Sequence, residues 1–162
     1  MNNVVLLLGS NMGDRHFYLE KASSEINREL GKISRYSSVY ETAPWGKTDQ
    51  DWFVNACITV ATKLPAIELL QRCFAAERAL QRVRLERWGP RSLDCDLLIY
   101  RDMISHSAEL TLPHPRITGR AFVLVPLLEI APDLQVNGRR ASDWLDDLDA
   151  SDVTPVEAKQ PS

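Results

Sequence analysis

The sequence predicts an α+β domain, in which helices pack on an antiparallel sheet. Its apolar segments follow the order strand, helix, strand, strand, helix, strand. The two helical segments repeat apolar residues every three or four positions, and only a loop separates the second strand from the third, so these strands can pair antiparallel. The length of 162 residues suits one domain with a substantial core.

Composition and charge narrow the classes of function. The chain is 44% hydrophobic and 25% charged, which is ordinary for a globular protein, and its formal net charge is -3. A nucleic-acid-binding protein is usually basic over a broad surface, so we expect no nucleic-acid partner. The first eight residues have no basic segment and only a short apolar run, which predicts neither a signal peptide nor a membrane span.

The three cysteines bear on two questions: whether the chain has a zinc site, and whether it works in a reducing compartment. Cys57, Cys73 and Cys95 do not have the spacing of metal ligands, so they predict no zinc site. We interpret them as reduced core residues of a cytoplasmic protein.

The first half of the chain begins with a predicted buried strand at residues 4–8. The glycine turn at residues 9–14 lacks the Lys-Ser/Thr pair of a P-loop and the spacing of a dinucleotide fingerprint, so we interpret it as a tight strand-to-helix turn. Asp14 can cap the helix that follows, and Gly31 ends that helix. The apolar residues of this helix are Leu19, Ala22, Ile26 and Leu30.

Two strands are predicted at residues 33–42 and 52–62. Asn55 interrupts the apolar second strand, on the same face as Phe53. An unpaired buried amide costs about 1 to 3 kcal/mol, so Asn55 needs a partner if it is buried. It could bind a flat heterocycle between Phe53 and Trp45, or it could bond to backbone near the loop, and the residues alone favour neither alternative.

A second helix is predicted from Pro65, a position where the missing N–H of proline is harmless. Glu77 lies beside its apolar stripe, and on the residues alone it is a charge on the helix flank. The residues of the stripe are Leu69, Cys73, Ala76 and Leu80.

Beyond residue 100 the pattern predicts a short strand at residues 110–112 and a helix from about residue 120 to 130. His114 and Arg120 could add hydrogen-bond donors for phosphate, although a lone histidine beside prolines is more often a structural loop residue. The polar residues 150–162 predict a flexible C-terminal tail.

The strongest functional signal lies in residues 82–100. Asp94 and Asp96 interrupt an apolar strand at residues 93–100, and alternate residues of a strand share a face, so their backbones lie about 7 Å apart. Two like charges at that distance repel by about 2 kcal/mol at an effective dielectric constant of about 20. Mg²⁺ is usually held by one or two carboxylates and by substrate phosphates, and arginine binds phosphate through paired hydrogen bonds. The nearby arginines are Arg82, Arg84, Arg87 and Arg91.

An Asp-x-Asp pair by itself is more often a solvated strand edge or a turn than a metal site. Here the neighbours Leu97, Leu98 and Ile99 are apolar, which makes an exposed edge a poor interpretation. We therefore favour a metal–phosphate site over the structural alternative.

Several motifs together resemble a known family. The chain from residue 4 to 133 is similar, in order and spacing, to 6-hydroxymethyl-7,8-dihydropterin pyrophosphokinase of folate biosynthesis, and the Arg-Trp-Gly-Pro-Arg and Asp-x-Asp combination is highly specific for it. The motifs are Leu-Gly-Ser-Asn-Met-Gly-Asp-Arg at residues 8–15, Thr-Ala-Pro-Trp-Gly at 42–46, Arg-Val-Arg at 82–84, Arg-Trp-Gly-Pro-Arg at 87–91, Asp-Cys-Asp at 94–96, Pro-His-Pro-Arg at 113–116 and Arg-Ala-Phe-Val-Leu-Val-Pro-Leu at 120–127.

This resemblance implies a fold and an activity. The implied fold is a ferredoxin-like sandwich with a four-stranded antiparallel core sheet and helices packed on it. The implied enzyme transfers pyrophosphate from ATP to the pterin hydroxymethyl group, uses Mg²⁺ and releases AMP. We expect residues 1–149 to form one catalytic domain that works in the cytoplasm as a monomer.

The resemblance also implies roles for individual residues. Asp94 and Asp96 would bind two Mg²⁺ ions, and the implied catalytic residues are Arg82, Arg91, Asp94 and Asp96. The implied ATP contacts are Glu77, Arg84, Trp88, Arg91, Leu97, His114 and Arg120. The implied pterin contacts are Thr42, Pro44, Trp45, Phe53, Asn55 and Phe122.

The chain departs from the family pattern at three places. Cys95 stands where the family usually has Leu or Ile, and we expect it to face away from the metals. Arg101-Asp102 replaces a frequent Gly, and Thr118-Gly119 replaces a commoner His-Glu, so both changes concern local loop geometry.

Two other classes of function are compatible with these patterns. One is a non-catalytic nucleotide- or metal-binding module, since ferredoxin-like folds often serve in that way. The other is an ordinary kinase. Turnover with pterin excludes the binding module, and the identity of the spent nucleotide separates the two enzymes.

Overall fold

The structure of the protein is a computed structural model. It describes residues 4–10, 15–42, 53–82 and 94–156, and at residues 15–18 and 80–82 it describes the backbone alone. The strands are β1 (Val4–Ser10), β2 (Lys32–Tyr36), β3 (Tyr40–Thr42), β4 (Phe53–Ala61), β5 (Asp94–Tyr100), β6 (Ser105–His106), β7 (Thr111–Leu112), β8 (Gln135–Val136), β9 (Arg139–Arg140) and β10 (Val153–Pro155). The helices are α1 (Arg15–Glu29), α2 (Ala66–Arg82), α3 (Ala121–Ile130) and α4 (Ala141–Asp146), with a short 3₁₀ helix at Ile117–Gly119.

The main sheet is antiparallel, and β1 lies between β4 and β5. Both β2 and β3 pair with β4, at opposite ends of the same edge, so they occupy one position of a four-stranded core. The α+β class and the predicted four-stranded antiparallel core are therefore confirmed. The strand β10 extends this core by pairing antiparallel with β3.

Helices cover both faces of the sheet. On one face, α1 and α2 pack on alternate residues of β1, including Leu6 and Leu8. On the other face, α3 and α4 pack on the intervening residues, including Val5 and Leu7. All seven residues of β1 are buried, which explains why this strand is a continuous apolar run instead of an alternating one.

The predicted helices agree with the structure where it describes them. The apolar residues of the first helix are buried, and so are Leu69, Cys73 and Ala76 of the second. Gly31 follows α1 with a φ of +155°, and a Cβ there would lie 2.3 Å from the carbonyl oxygen of Ala61, so only glycine fits beside β4. The proposed cap at Asp14 lies outside the described residues. The three cysteines are buried and free.

The single strand predicted at residues 33–42 is wrong, because it is interrupted at Ser37. The Ser37 backbone N–H donates to the Cys57 carbonyl oxygen at 2.8 Å, and the Ser37 hydroxyl accepts from the Cys57 N–H at 2.9 Å. One serine thus bonds both backbone groups of Cys57, and residues 37–39 separate β2 from β3. The continuation beyond the break leads to Thr42.

The predicted tail also needs correction, because it does not begin at residue 150. Val153 is buried, β10 pairs with β3, and the Val156 N–H donates to the Val39 carbonyl oxygen at 2.8 Å. These hydrogen bonds hold the chain as far as Val156 against the sheet edge, and residues 157–162 lie outside the described part. Within the described residues, no helix is long and apolar enough to cross a membrane.

Candidate functional site

A cavity of about 200 Å³ lies at one end of the sheet, on the face that carries α3. Five elements contribute to it: the ends of β1 and β3, the beginnings of β4 and β5, and the start of α3. The residues that line it are Leu7, Gly9, Thr42, Phe53, Asn55, Asp94, Asp96, Arg120 and Phe122. The structure therefore brings together seven residues that were predicted for three different roles: two metal ligands, four pterin contacts and one ATP contact.

The two carboxylates lie at the beginning of β5. Asp94 is opposite Gly9 and Asp96 is opposite Leu7 in the antiparallel register, so both project to the cavity face. Asp94 is partly exposed and Asp96 is exposed, which leaves this face of the strand accessible to a ligand. In the described part of the chain, no group of three or more His, Cys, Asp or Glu residues could hold a metal ion by themselves. A cation here would need oxygen ligands from a substrate as well.

Cys95 lies between the two carboxylates and faces the opposite way, as predicted. Its side chain is buried in the core beneath α2, and its hydrogen bond with Cys73, together with burial, raises the pKa of the Cys95 thiol. The thiol thus stays protonated and is not a metal ligand. The Cys95 N–H donates to Glu77 Oε2 at 2.7 Å, so Glu77 fixes β5 against α2.

His114 lies in the loop after β7 and is tied to β5 by its backbone. Its N–H donates to the Leu98 carbonyl oxygen at 2.8 Å, and its Nδ1 accepts from the Arg116 N–H at 3.2 Å. Because Nδ1 is an acceptor, the proton of the neutral ring resides on Nε2. Burial lowers the pKa of His114, and the charges of Arg116 and Arg120 lower it further against the opposing effect of Asp96. A neutral imidazole with an Nε2 donor therefore dominates at neutral pH.

Arg120 precedes α3 and lies against an aromatic wall of the cavity. Its guanidinium carbon is 5.3 Å from the centroid of the Phe122 ring, within the range of a cation–π interaction. This contact places a predicted ATP contact beside a predicted pterin contact. An anion near Arg120 would thus lie at the rim of an aromatic pocket.

Asn55 and Thr42 supply the buried polar groups of the cavity. Asn55 is only 5% exposed, and its side chain forms part of the wall. Thr42 is also 5% exposed, and its Oγ1 is a buried atom that lacks a hydrogen-bond partner within the described residues. Leaving such a group unsatisfied costs about 1 to 3 kcal/mol, so a polar ligand in the cavity would gain by bonding to it.

Other predicted site residues lie elsewhere. The side chain of Leu97 is 3% exposed and packs in the core with Leu6, and the contact of this residue with a nucleotide stays a prediction. Glu77 is on the same side of β5 as Leu97 and is partly buried. The backbone of Arg82 ends α2, and its side chain lies outside the described part. Pro44, Trp45, Arg84, Trp88 and Arg91 also lie outside the described residues.

Two cavity residues were missed by the sequence analysis. Leu7 was assigned only to a buried strand, and Gly9 to a turn, whereas β1 continues to Ser10 and both residues line the cavity. Period-2 alternation along an extended first strand would have placed Leu7 and Gly9 on one face.

Known proteins resemble this chain over most of its length. A family model described as 7,8-dihydro-6-hydroxymethylpterin-pyrophosphokinase (HPPK) matches residues 5–132. The chain is 44% identical over 158 residues to a 2-amino-4-hydroxy-6-hydroxymethyldihydropteridine pyrophosphokinase of Methylorubrum extorquens. The matched residues cover 97% of this chain and 100% of that protein. The chain is 39% identical over 137 residues to the protein of the same description from Bacillus subtilis, and the matched residues cover 83% of this chain and 82% of that protein.

Solved structures share the fold at low sequence identity. A crystal structure of Plasmodium falciparum HPPK-DHPS superposes with a TM-score of 0.75 at 17% identity, covering 91% of this chain and 45% of that one. This chain therefore spans less than half of that longer protein, and the likeness to it concerns the fold alone. The sequence matches, by contrast, extend over most of this chain and of its relatives. On these grounds, the chain belongs to the 7,8-dihydro-6-hydroxymethylpterin-pyrophosphokinase (HPPK) family.

Proposed function

We propose that this protein transfers the pyrophosphoryl group of ATP to the hydroxymethyl group of 6-hydroxymethyl-7,8-dihydropterin, with AMP and the pterin diphosphate as products, in folate biosynthesis. The family and the similar proteins of M. extorquens and B. subtilis support this activity. The observation that carries the proposal is the juxtaposition in one cavity of a buried amide, Asn55, and two carboxylates, Asp94 and Asp96.

The apolar and amide walls suit a pterin ring. Phe53 and Phe122 offer aromatic surface for a flat heterocycle, while Asn55 and the Thr42 hydroxyl can satisfy its polar edge. The cavity volume of about 200 Å³ is below the roughly 300 Å³ at which sites for drug-sized ligands begin. It can therefore enclose one small bicyclic ring, and ATP would extend from its open side.

The carboxylate pair suits Mg²⁺. Asp94 and Asp96 supply hard oxygen ligands from one strand face, and Mg²⁺ is commonly held by one or two carboxylates plus substrate phosphates. When bound, Mg²⁺ would neutralise charge on the phosphates and polarise their oxygens. We propose a requirement for two such ions, held by Asp94, Asp96 and ATP.

The residues of the chain contribute orientation and charge. Asn55 would hold the ring so that the hydroxymethyl group points toward the carboxylates, and the neutral His114 would donate from Nε2 to a phosphate oxygen. Arg120 would add a positive charge at the rim. Transfer of this kind depends mainly on positioning and charge stabilisation, so no strong general base is required. Arg82, Arg84, Trp88, Arg91 and Glu77 complete the proposed nucleotide site, and Pro44 and Trp45 complete the proposed pterin site.

The environment of the enzyme forms part of the proposal. We infer that the chain, including β10, acts as one catalytic domain, as a monomer in the cytoplasm. Three free, buried cysteines suit a reducing compartment. Size-exclusion chromatography with light scattering would test the monomer, and a dimer would overturn that part.

Identification of the spent nucleotide tests the activity directly. Purified protein is incubated with ATP, Mg²⁺ and 6-hydroxymethyl-7,8-dihydropterin, and the nucleotides are separated by chromatography. We expect one AMP per pterin consumed, and no turnover when Mg²⁺ is chelated. Stoichiometric ADP would indicate a simple kinase, and absence of pterin-dependent turnover would indicate a binding module. The Asp96→Asn variant controls for contaminating kinases, because any turnover that remains in it does not come from this site. The matched control is Asp102→Asn, which changes an exposed acid just beyond β5 and should retain full activity.

A further inference from the structure

Gly9 lies between the amide wall of the cavity, formed by Asn55, and its carboxylate wall, formed by Asp94. In the antiparallel register it is opposite Asn55 of β4 and also opposite Asp94 of β5. Residues directly opposite each other in such pairs project to the same face. Because neighbouring strands are about 4.8 Å apart, the backbones of Asn55 and Asp94 lie about 10 Å apart, with Gly9 midway.

Glycine at this position leaves room for the Asn55 amide. A Cβ built on Gly9 would lie only 2.6 Å from Asn55 Oδ1, with the Val54 carbonyl oxygen next at 3.6 Å. Gly9 lies within β1, so the need for glycine here comes from space and not from a left-handed backbone conformation. Any larger residue would force the Asn55 amide to move, and that amide is itself buried in the cavity wall.

We propose that Gly9 is a specificity-determining residue: its missing side chain leaves the room that sets the position of the Asn55 amide in the cavity wall. This inference rests on the proposed function, in which a ring held near Asn55 presents its hydroxymethyl group toward Asp94. A side chain at position 9 would displace the Asn55 amide from the place where it holds that ring. Gly9 thus acts on pterin recognition through the position of Asn55.

The first test compares binding of each ligand to the Gly9→Ala variant. Calorimetry measures the affinity for 6-hydroxymethyl-7,8-dihydropterin and, separately, for a non-hydrolysable ATP analogue with Mg²⁺. We expect Gly9→Ala to weaken pterin binding about 10- to 100-fold, as for a lost buried polar contact, and to change binding of the ATP analogue less than about 2-fold. The matched control is Gly119→Ala, because a Cβ at Gly119 would meet no atom within 4 Å, and its pterin affinity should stay unchanged.

A second test separates a clash with Asn55 from a general loss of stability. In the Asn55→Ala background the obstacle at Oδ1 is gone, so adding Gly9→Ala should change the affinity for pterin less than about 2-fold and should not lower the melting temperature further. In the wild-type background, Gly9→Ala should lower the melting temperature. This comparison holds even if the single variant folds poorly, since we expect the double variant to fold.

The outcomes separate this inference from the proposed function. Unchanged pterin affinity in Gly9→Ala, or fully additive effects of the two substitutions, would overturn the role of Gly9 and leave the activity intact. Failure of the wild-type protein to bind pterin would instead overturn the proposed function, and with it the pterin specificity inferred for Gly9.

Discussion

Tyr40 Oη donates a 2.6 Å hydrogen bond to Glu129 Oε1 across a sequence separation of 89 residues. The other carboxylate oxygen of Glu129 accepts from the Ser38 N–H at 2.9 Å and from the Ser38 hydroxyl at 3.0 Å. These bonds join the segment around β3 to the last turn of α3. Because β3 ends at Thr42 and Phe122 lies in the first turn of α3, the same bonds set the separation of two cavity walls.

The first prediction concerns this link between β3 and α3. Glu129→Ala should lower the free energy of unfolding by about 1 to 2 kcal/mol, because three hydrogen bonds to an exposed carboxylate are lost. It should also raise the KM for pterin more than the KM for ATP, since Thr42 and Phe122 lose their fixed separation. Urea unfolding and steady-state kinetics measure the two effects. Glu109→Ala removes an exposed glutamate from a loop and serves as control; equal effects of both substitutions would contradict the prediction.

The second prediction concerns pH. Burial, together with the hydrogen bond to Glu129, raises the pKa of Tyr40 from its ordinary 10.0 to about 12. The folded state therefore holds this proton more tightly than the unfolded state. The resulting stability is fully present below pH 10 and is lost as pH rises from 10 toward about 12.

Urea unfolding of wild type and Tyr40→Phe between pH 9 and pH 11.5, about the range set by these pKa values, tests this. The stability of wild type should fall more steeply than that of Tyr40→Phe, which has no ionisable group at this position. Parallel curves would show that Tyr40 makes no such contribution.

Glu129 should act at the acid end of the range. Burial by itself would raise the pKa of Glu129, but the hydrogen bonds from Tyr40 and Ser38 outweigh it and leave the pKa below its ordinary value of 4.5. Its contribution to stability is therefore present above pH 4.5 and is lost as pH falls through the lowered pKa. In urea unfolding at acidic pH, from about pH 6 down to about pH 3, Glu129→Gln should show a weaker loss of stability than wild type.

The third prediction concerns the carboxylates at the start of β5. Asp94→Ala and Asp96→Ala should each lower kcat by at least about 100-fold, because each removes a proposed Mg²⁺ ligand at the reacting phosphates. Both proteins should stay folded, since Asp94 is only partly buried and Asp96 is exposed. Steady-state AMP release and circular dichroism provide the measurements. Normal turnover by either variant with Mg²⁺ would refute the metal assignment, whereas Asp102→Ala should retain full activity.

The fourth prediction concerns the buried amide. Asn55→Ala should weaken pterin binding by about 1 to 3 kcal/mol, the cost of one lost buried polar pair, and should spare binding of ATP. Titration calorimetry with each ligand separately decides it. An unchanged affinity for pterin would return Asn55 to a structural role at the beginning of β4.

The fifth prediction concerns Arg82, at the end of α2. Arg82→Ala should lower kcat while changing the affinities for ATP and pterin little, because we expect its guanidinium to act as charge develops during transfer. Single-turnover kinetics together with equilibrium binding separates the two effects. Equal losses in binding and in rate would show that Arg82 only holds the substrates.

Much of the fold could be predicted from local sequence, since helix and strand periods are local properties. The apolar spacing in α1 and α2 identified residues that are buried, and the period of two placed Asp94 and Asp96 on one face with Cys95 on the other. The same period places the Leu97 side chain on the face of β5 that is turned away from Asp94 and Asp96, and the structure has it there. Its contact with ATP, which the family resemblance implies, stays a prediction.

Other features depend on partners distant in the chain. Ser37 lies in a segment with strand-like composition, and only its bonds to Cys57 show that the strand is interrupted there. Val153 begins a short polar segment that resembles a tail, yet it pairs with Thr42 more than a hundred positions earlier. Neither pairing leaves a local signal, because both are made with residues of other strands.

The sequence by itself determined the two long helices, the central strands, the acidic pair and the family, because each depends on residue types at short, regular spacing. The tertiary structure decided which of these residues meet. Gly9 was interpreted as a turn residue, but the register sets it between Asn55 and Asp94. Glu129 accepts hydrogen bonds from Tyr40 and Ser38, which lie far from it in the sequence. A cavity exists only where separate strands and a helix come together, so its walls follow from strand register and helix packing and not from any one segment of the chain.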